Sequence, residues 1–444
     1  MIINFAIENF RSINERVELS FEPVKYKTEK HLEDIYIYKS KSGIEVLKLA
    51  IIYGPNASGK TNILRALDFL KRFILKPPSS KTDVIDLKPF KFTQDKKNTV
   101  FEIEFLHDDI KYSYFIELNE KEVIKEEIYS FKPKKYLVLK RYKESNDIKI
   151  KYGSKIKLSK HAKEIILYRT LPNKSVISSF SEVNIKIPEI ESIIKWFNSY
   201  LMPTIYPKTD LTNFALDKYG DSEVNKDIVL KALKRADFNI SDIKIDKEER
   251  EIDVEEIKFI LDFLKQIDSS LRDISSEKLR NKGKEIKIKR FEFEHIINGK
   301  RYYLEYEDES AGTQRFFQLA VVLALLIENN LIFPIDEIES SLHPDLIEFF
   351  LDLFLFNTKS IASQLILTTH YRELLMNDTI RRDIVWFTDK MENSSTELYS
   401  LTDFKSSEFR NTNSIYNFYK TGKLGAKPFL GSYRLKEIKI GKKK

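Results

Sequence analysis

Two kinds of apolar spacing divide the first 80 residues of the chain. Residues 1–22 alternate apolar and polar positions in two runs on either side of the segment NFRS, which predicts a pair of strands. Residues 46–54 form a mostly apolar run that ends on a glycine, as expected for a buried parallel strand. From 60 to about 75 the apolar residues recur on one helical face, and Pro77-Pro78 ends the predicted helix.

The middle of the chain changes from strand-like to helical spacing. Residues from about 88 to 158 alternate cleanly around a tight turn at 107–109, which predicts antiparallel strands at the rim of the first elements. Residues 159–282 are mostly helical in spacing and include a long stretch at 254–279. That stretch is either a helix packed on the domain or a short protruding arm, and the lack of sustained heptads favours the packed helix.

The last part of the chain returns to strands and then alternates strands with helices. Asn298-Gly299 marks a hairpin turn within the strand-like segment 285–309. The elements predicted after it are a helix at about 313–328, a strand at 331–337, a helix after Pro344 and a strand at 363–370. We therefore predict an α/β fold with a mixed-sheet core, an antiparallel rim sheet and a mainly helical insertion. Its predicted parts are residues 1–158, 159–282 and 283–444.

Composition narrows the class of protein. A chain of 444 residues with 42% hydrophobic residues is long enough for two or three domains with a buried core. It has no cysteine, which excludes disulfides, thiolate zinc sites and a cysteine nucleophile. The longest apolar runs are too short to cross a bilayer, and the first residues lack the pattern of an export signal. We expect a cytoplasmic protein with no membrane partner.

The balance of charged residues permits nucleic acid as a partner without predicting it. The net charge is +7, from 75 basic and 68 acidic residues. Lysines cluster at 132–135, at 148–160 and in the C-terminal tail. These clusters permit contact with nucleic acid, but solvated strand faces and a frayed terminus explain them equally well.

The segment between the buried strand and the first helix carries the clearest chemistry. It fits the pattern G-x-x-x-x-G-K-[S/T] in full, with Gly54, Pro55, Asn56, Ala57, Ser58, Gly59, Lys60 and Thr61, followed by Asn62. Glycines let consecutive N–H groups point inward, and the helix N-terminus adds partial positive charge. Lys60 supplies a charge for β- and γ-phosphates, and Thr61 offers a hydroxyl to Mg²⁺. The segment predicts a site for ATP and Mg²⁺.

A second apolar strand, at 331–337, ends in two carboxylates. Asp336 lies where it can contact the coordination shell of Mg²⁺, and Glu337 lies where it can orient an attacking water as general base. Three other stretches belong with this pair. Ser310 and Gly312 precede an amphipathic helix, the segment SSLHP at 340–344 follows Glu337, and His370 ends a strand, where it is suited to a γ-phosphate.

The order of these motifs resembles the ABC-type ATPase heads of the SMC and RecF class. It is most similar to bacterial AAA-labelled ATPases of the overcoming-lysogenisation (OLD)-like, phage-defence type, through the stretches NFRS, GPNASGKTN, SAGT, DEIESSLHP, TTH and a late Y-x-x-G-x-x-G-A-x-P. The resemblance implies a P-loop ATPase head that forms a homodimer or a higher homo-oligomer around ATP. The positions Ala311, Thr313 and His343 depart from the ABC-transporter pattern.

The resemblance also implies roles for individual residues. Ser310 and Gly312 of one subunit would close over the ATP held by the P-loop of the other. Ser340 to His343 would form the D-loop, Glu337 would be the base, and His370 would be the switch histidine. Arg11 and Ser12 would lie near the nucleotide.

We expect no second active site in this chain. Only 74 residues follow His370, scarcely enough for a nuclease domain. A separate effector, a nuclease or toxin, is therefore the expected partner, and the resemblance implies a setting in anti-phage defence. The alternative is a RecF-like DNA-binding ATPase of repair or genome maintenance. A self-contained nuclease is a third hypothesis.

Overall fold

The computed structural model describes residues 1–25, 30–94, 96–144, 147–220, 225–236, 238–250, 286–377, 379–404 and 412–427. The chain forms two compact units. The first contains Met1–Thr209 and Leu325–Lys444, and the second contains Asp210–Ala324.

The described strands, in chain order, are β1 (Ile2–Glu8), β2 (Val17–Ser20), β3 (Ile37–Lys39), β4 (Glu45–Leu47), β5 (Leu49–Tyr53), β6 (Thr99–His107), β7 (Ile110–Leu118), β8 (Val123–Phe131), β9 (Lys135–Glu144), β10 (Asp147–Tyr152), β11 (Ile240–Arg250), β12 (Ile286–Ile297), β13 (Lys300–Glu305), β14 (Ile332–Ile335), β15 (Gln364–Thr369), β16 (Val385–Lys390) and β17 (Thr396–Ser400). The described α-helices are α1 (Lys30–Tyr36), α2 (Lys60–Leu75), α3 (Lys160–Arg169), α4 (Val176–Phe180), α5 (Pro188–Ser199), α6 (Thr212–Gly220), α7 (Lys226–Arg235), α8 (Ala311–Glu328), α9 (Pro344–Asn357) and α10 (Thr412–Thr421). Short 3₁₀ turns lie at Tyr306–Asp308, Arg372–Met376, Arg382–Ile384 and Leu401–Asp403.

A five-stranded sheet forms the core of the first unit. Its order is β14-β15-β5-β16-β17, with all neighbours parallel except the antiparallel pair β16–β17. Every residue of β5, β14 and β15 is buried, as expected where both faces of a parallel sheet are covered. The buried parallel strand predicted at 46–54 is confirmed for 49–53, whereas residues 46 and 47 belong to β4, which pairs antiparallel with β3. The helix predicted at 60–75 is confirmed as α2.

A seven-stranded antiparallel sheet lies in the same unit, in the order β10-β9-β8-β7-β6-β1-β2. The predicted strand pair in residues 1–22 is confirmed as β1 and β2, and the alternation from 88 to 158 corresponds to β6–β10. The tight turn between β6 and β7 places Asp108 and Asp109 at φ of 48° and 59°. The predicted mixed α/β fold with an antiparallel rim sheet is therefore confirmed.

Residues up to 209 join the first unit through two sets of contacts: Leu201 and Ile205 form parallel bridges to Ile332 and Ile335, and α5 packs on the antiparallel sheet. The Trp196 ring stacks on Phe105 of β6 with centroids 4.1 Å apart, and both side chains are buried. This large aromatic contact attaches α5 to the antiparallel sheet. The insertion predicted at 159–282 and the second unit, 210–324, therefore overlap without sharing their bounds.

The second unit contains helices and a three-stranded sheet, β11-β12-β13. The hairpin turn predicted at Asn298-Gly299 joins β12 to β13, and the two residues have φ of 52° and 77°. Within this unit Phe293, Tyr306 and Phe317 pack their rings together. The long helical stretch predicted at 254–279 lies outside the described residues.

Helix α8 is long and apolar enough to cross a bilayer by length and composition alone. However, 72% of its 18 residues are buried inside the protein. A core helix of a folded domain has this property, so the helix gives no support to a membrane span.

Candidate nucleotide-binding site

Three strand ends meet at one edge of the five-stranded sheet. Strands β14, β15 and β5 are neighbours and run parallel, so their carboxyl ends lie at the same edge. Gly54 follows β5, Asp336 follows β14 and His370 follows β15. Residues that are far apart in the sequence therefore come together there.

The loop from 54 to 61 curls because of its glycines and one left-handed alanine. Gly59 has a φ of 106° and Ala57 a φ of 64°, in the region where glycine is favoured. A Cβ on Gly54 would collide with the side chain and the main-chain oxygen of Thr388. The middle of the loop is exposed, so one side of it is open to a ligand.

Lys60 lies across this loop and is almost completely buried, at 5% exposure. Its Nζ donates to the main-chain oxygens of Gly54 and Pro55 at 2.8 and 3.2 Å, and lies 3.1 Å from Nε2 of His370. Burial lowers the pKa of Lys60 to about 8, against the opposite effect of the nearby carboxylates. The site thus holds a poorly solvated cation, which an anionic ligand would stabilise.

Thr61 and Asp336 form the candidate metal site. The Thr61 hydroxyl donates to both carboxylate oxygens of Asp336, at 3.1 and 3.0 Å, and the Thr368 hydroxyl donates to Oδ1 at 2.6 Å. A hydroxyl and a carboxylate held together are hard oxygen ligands of the kind that Mg²⁺ prefers. Within the described ranges no group of three His, Asp or Glu could hold a metal ion alone. Two protein ligands plus phosphate oxygens fit a magnesium site better than an all-protein cage.

Glu337 and His370 lie on the two strand ends beside Lys60. Glu337 has a φ of 48°, and its N–H donates to the Thr368 hydroxyl at 2.8 Å. Both side chains are half-buried. Burial, followed by the charge of Lys60, lowers the pKa of His370. His370 is therefore neutral at neutral pH and can accept at Nε2 while it donates at Nδ1.

Hydroxyl groups attach the loop to distant parts of the chain. The Ser12 hydroxyl lies 2.7 Å from the Thr396 hydroxyl and accepts from Asn62 Nδ2 at 2.7 Å. Thr396 Oγ1 in turn donates to the main-chain oxygen of Ser58 at 2.8 Å. This places Ser12 and Asn62, both expected near the nucleotide, in direct contact.

A second hydroxyl contact holds the loop from β16. Ser58 Oγ and Thr388 Oγ1 are 2.6 Å apart, and Thr388 also donates to the main-chain oxygen of Tyr53 at 3.2 Å. Sequence reasoning missed Thr388 and Thr396, because threonines in a late strand pair have no motif spacing to the P-loop. Only the neighbouring position of β16 and β5 could have indicated them.

Arg11 opens onto a separate cavity beside α2. Its backbone is left-handed, with φ of 53°, and its N–H donates to the Lys88 oxygen at 2.6 Å. The buried Arg11 Nε makes no hydrogen bond to any described residue. The cavity has a volume of about 270 Å³ and is lined by Phe10, Arg11, Arg65, Asp68, Phe69, Arg72, Asp86, Lys88 and Tyr206. Four of these residues are cationic and two are acidic, so the cavity favours an anionic or polar ligand.

The predicted signature residues lie in the second unit. The Ser310 side chain caps α8: its Oγ accepts from Thr313 N at 3.1 Å and lies 2.8 Å from the Thr313 hydroxyl. Ser310 and Ala311 are exposed, and Gly312 is half-exposed. A capped helix N-terminus with an exposed first turn offers N–H groups to an anion.

The predicted D-loop follows the Glu337 turn directly. Ser340 N donates to the Glu337 oxygen at 2.9 Å, and Ser341 has a φ of 65°. His343 is exposed and caps α9, with its Nδ1 accepting from Asp345 N at 3.3 Å. The change from the usual aspartate to His343 therefore preserves a helix-capping acceptor.

The late Y-x-x-G-x-x-G-A-x-P motif packs behind the P-loop strand. Tyr419 stacks on Phe387 of β16, and its hydroxyl donates to the Ala426 oxygen at 3.1 Å. Ala426 N donates to Asp389 Oδ2 at 2.9 Å. The described part of the motif has a structural role at the end of the five-stranded sheet.

Comparison with known families finds one matching model. Residues 49–184 and 215–377, more than half of the chain, match the AAA_21 family, described as "AAA domain, putative AbiEii toxin, Type IV TA system". None of the curated proteins matches the chain.

Solved structures give a distant likeness. An SMC head domain from Thermotoga maritima is 13% identical with a TM-score of 0.39, over 90% of this chain and 98% of that chain. An SMC head bound to the C-terminal winged-helix domain of ScpA is 13% identical with a TM-score of 0.40, over 90% and 99%. A Pyrococcus furiosus SMC head with an extended coiled coil, bound to the C-terminal domain of ScpA, is 13% identical with a TM-score of 0.34, over 90% and 97%. With TM-scores below 0.5, these similarities carry no further argument, and the fold is described by the strand order given above.

Proposed function

We propose, from the premise that this chain belongs to the AAA-domain family AAA_21, that it is an ATPase that hydrolyses Mg²⁺-bound ATP between two copies of itself. The observation that carries the proposal is the meeting of two pairs at one sheet edge: Lys60 with His370, and Thr61 with Asp336. The first pair suits the terminal phosphate of a nucleotide, and the second suits its metal ion.

Phosphate binding would rest on the loop and on Lys60. The ammonium group is already positioned over the loop by two main-chain oxygens and His370 Nε2, and a phosphate would replace at least one of these three acceptors. Thr61 and Asp336 would hold Mg²⁺, which supplies charge neutralisation for the phosphates. The cationic cavity beside Arg11 would receive the remainder of the nucleotide.

Hydrolysis would rest on Glu337 and His370. The Glu337 carboxylate makes no hydrogen bond or ion pair to any residue that the structure describes, which leaves it available to orient a water and accept its proton. Neutral His370 would donate a hydrogen bond to the terminal phosphate as charge develops there. Lys60 would stabilise the same charge.

Closure of the site would require the second copy. Ser310 and Gly312 would cover the nucleotide held by the partner's P-loop, as in the family that the motifs resemble. Their exposure supports this assignment, because a group that must contact another molecule cannot be enclosed in its own unit.

The biological output that we propose follows from the family that the motifs resemble. The change between open and closed dimers would control a separate effector, a nuclease or toxin, in anti-phage defence, and the protein would act in the cytoplasm. A pull-down from cells with and without a non-hydrolysable nucleotide tests for such an effector.

The test of the biochemical proposal is a set of matched assays on the purified chain. Calorimetry should detect Mg-ATP binding to the wild type and to Glu337→Gln, but not to Lys60→Ala, and rapid phosphate release should occur in the wild type and in neither of these two variants. Lys81→Ala is the control, because Lys81 is exposed and distant in sequence from every motif. Absence of nucleotide binding in the wild type would refute the proposal.

A second candidate function is DNA binding in the manner of a RecF-like repair ATPase. The observation in its favour is a lysine-rich face on β7–β10, where Lys125 lies opposite Tyr142 and Lys140 lies opposite Lys151. Lys125 Nζ is 4.7 Å from the Phe115 ring centroid. The face contains a groove of about 530 Å³ lined by Glu117, Ile124, Lys125, Lys140, Tyr142, Lys143 and Lys151. Lysines interleaved with aromatic rings suit a nucleic acid backbone and its bases.

Salt dependence separates this candidate from the first. Replacing Lys125, Lys140 and Lys151 together by Gln should reduce the slope of log affinity against log salt by roughly one unit per lost phosphate contact. The control is the matched replacement of three exposed lysines away from the face, Lys41, Lys81 and Lys208. Equal DNA binding by both triple variants would exclude this face.

A further inference from the structure

A third carboxylate lies at the same sheet edge, two residues after Glu337. Glu339 is half-buried, and its two oxygens contact the end of β15. Oε1 accepts from the main-chain N–H of His370 at 2.6 Å, and Oε2 accepts from the Thr369 hydroxyl at 2.8 Å. The contact to His370 N is short, and the contact to the Thr369 hydroxyl has an ordinary hydrogen-bond length.

These contacts belong to a larger attachment between two strand ends. Glu337 N donates to Thr368 Oγ1 at 2.8 Å, and Ile338 N donates to the Thr368 oxygen at 3.2 Å. The turn that carries the proposed base is thereby fixed to the strand that carries the histidine. Glu339 adds the last attachment, at the backbone of His370 itself.

The position of Glu339 differs from that of a second base. Each of its oxygens already accepts a hydrogen bond from β15, whereas Glu337 has no such partner. A carboxylate engaged on both oxygens is poorly suited to accept a proton from water. It is well suited to hold a backbone N–H in place.

We propose that Glu339 is a positioning residue, which holds the backbone of His370 against the Glu337 turn so that histidine and base keep one fixed separation. The inference rests on the proposed function and names a residue of the same site. It predicts that losing Glu339 affects turnover and leaves nucleotide binding intact, because the P-loop contacts do not involve it.

The test is Glu339→Gln, which keeps the size of the side chain. Glutamine is uncharged and has one acceptor oxygen: if that oxygen accepts from His370 N, its NH₂ group faces the Thr369 hydroxyl, so neither contact keeps the carboxylate charge. We expect kcat to fall about tenfold and the Kd for Mg-ATP to change less than about twofold. The control is Glu348→Gln, since Glu348 accepts a hydrogen bond from the Tyr371 hydroxyl at 2.9 Å, close in the chain but outside the site.

A second pair of variants covers the case in which Glu339→Gln folds poorly. Thr369→Val removes one partner of Glu339, and Thr369→Ser keeps the hydroxyl. We expect Thr369→Val to lower kcat and Thr369→Ser to restore it. The effects of Thr369→Val and Glu339→Gln should also be less than additive, because they act on one contact.

The outcomes separate this inference from the proposed function. If the wild type hydrolyses ATP and both Glu339→Gln and Thr369→Val keep its kcat, the positioning role is wrong and the ATPase assignment stands. A loss of Mg-ATP affinity that matches the loss of kcat would also overturn the positioning role. If the wild type neither binds nor hydrolyses ATP, the proposed function itself fails.

Discussion

The P-loop edge and the signature segment are built in opposite ways. Around the P-loop, partners are distant in sequence: Thr396 donates to Ser58, 338 positions away, and Thr61 donates to Asp336, 275 positions away. At the signature, the Ser310 side chain contacts Thr313, three positions away, and the Ser310 main-chain oxygen accepts from Gln314 N, four positions away. The first region is fixed by tertiary structure, whereas the second is a local helix cap with an exposed first turn.

The two regions therefore differ in how far they are ordered before a ligand binds. A loop held by long-range hydrogen bonds is preorganised for phosphate, so binding requires little ordering. At the signature, Ser310 and Ala311 are exposed, so the start of α8 is accessible to another molecule. These properties support our proposal that the first region binds phosphate and that a second copy closes the site through the signature segment.

The largest expected effect is at the P-loop. Lys60→Ala removes the charged partner of the phosphates, and we expect Mg-ATP affinity to fall about 100-fold or more, from a charged hydrogen-bond network worth about 3 kcal/mol. Calorimetry measures it, with Lys81→Ala as the control. If Lys60→Ala binds Mg-ATP nearly as tightly as the wild type, the P-loop region does not hold the phosphates.

The next effect separates chemistry from binding. Glu337→Gln should lower the rate of phosphate release by about 10²–10⁴-fold, the range for a lost general base, while the affinity for Mg-ATP is kept. A single-turnover assay measures the rate. Hydrolysis at an unchanged rate would show that another group accepts the proton.

A smaller effect is expected at the signature. Ser310→Ala should lower hydrolysis about tenfold and leave the affinity of a single copy for nucleotide unchanged. It also removes a helix cap, at a cost of about 1 kcal/mol in stability. Ser159→Ala controls for that cost, because Ser159 caps α3 in the same way, accepting from Ala162 N at 3.1 Å. If Ser310→Ala and Ser159→Ala hydrolyse ATP at the same rate, the signature segment has no role in hydrolysis beyond capping its helix.

The pH dependence of Mg-ATP affinity tests whether Lys60 supplies the positive charge of the P-loop region. Burial lowers the pKa of Lys60 to about 8. As pH rises through this value, the free protein loses the charge that meets the phosphates, so the affinity for Mg-ATP should weaken about tenfold between pH 7 and pH 9. Calorimetry at the two pH values measures the change, and Lys60→Ala should lack it. If the affinity of the wild type for Mg-ATP is the same at both pH values, a group other than Lys60 supplies the charge that meets the phosphates.

The smallest expected effect concerns the hydroxyl contacts behind the loop. Thr396→Val keeps the shape of a buried side chain and removes its bonds to Ser12 and Ser58. A net loss of about 1 kcal/mol predicts an affinity about fivefold weaker, measured by calorimetry. Thr402→Val, at a half-buried position outside the site, is the control.

The sequence was sufficient for the parts of the fold with strong local signals. The glycine-lysine loop between a buried strand and an amphipathic helix predicted β5, the turn and α2, because both elements have clear periodicity. The strand ends bearing Asp336 and His370 were likewise recognisable. These strand ends lie together because β14, β15 and β5 are parallel neighbours. The order of the motifs along the sequence does not determine which strands are neighbours.

Other parts of the site have no local signal. Thr388, Thr396 and Glu339 take part through contacts made across neighbouring strands, and their spacing in the sequence is arbitrary. The end of the first unit at residue 209 was not predictable either. It depends on the ring packing of Trp196 on Phe105 and on the bridges from Leu201 and Ile205 to β14, contacts that no periodicity indicates.

The most direct test of the central claim is the solution mass of Glu337→Gln by light scattering, with and without saturating Mg-ATP. We predict a nucleotide-dependent dimer, which Ser310→Arg in the same background converts back to monomer while nucleotide binding remains. A monomer at saturating Mg-ATP, or a dimer that is indifferent to both nucleotide and Ser310, would contradict the account.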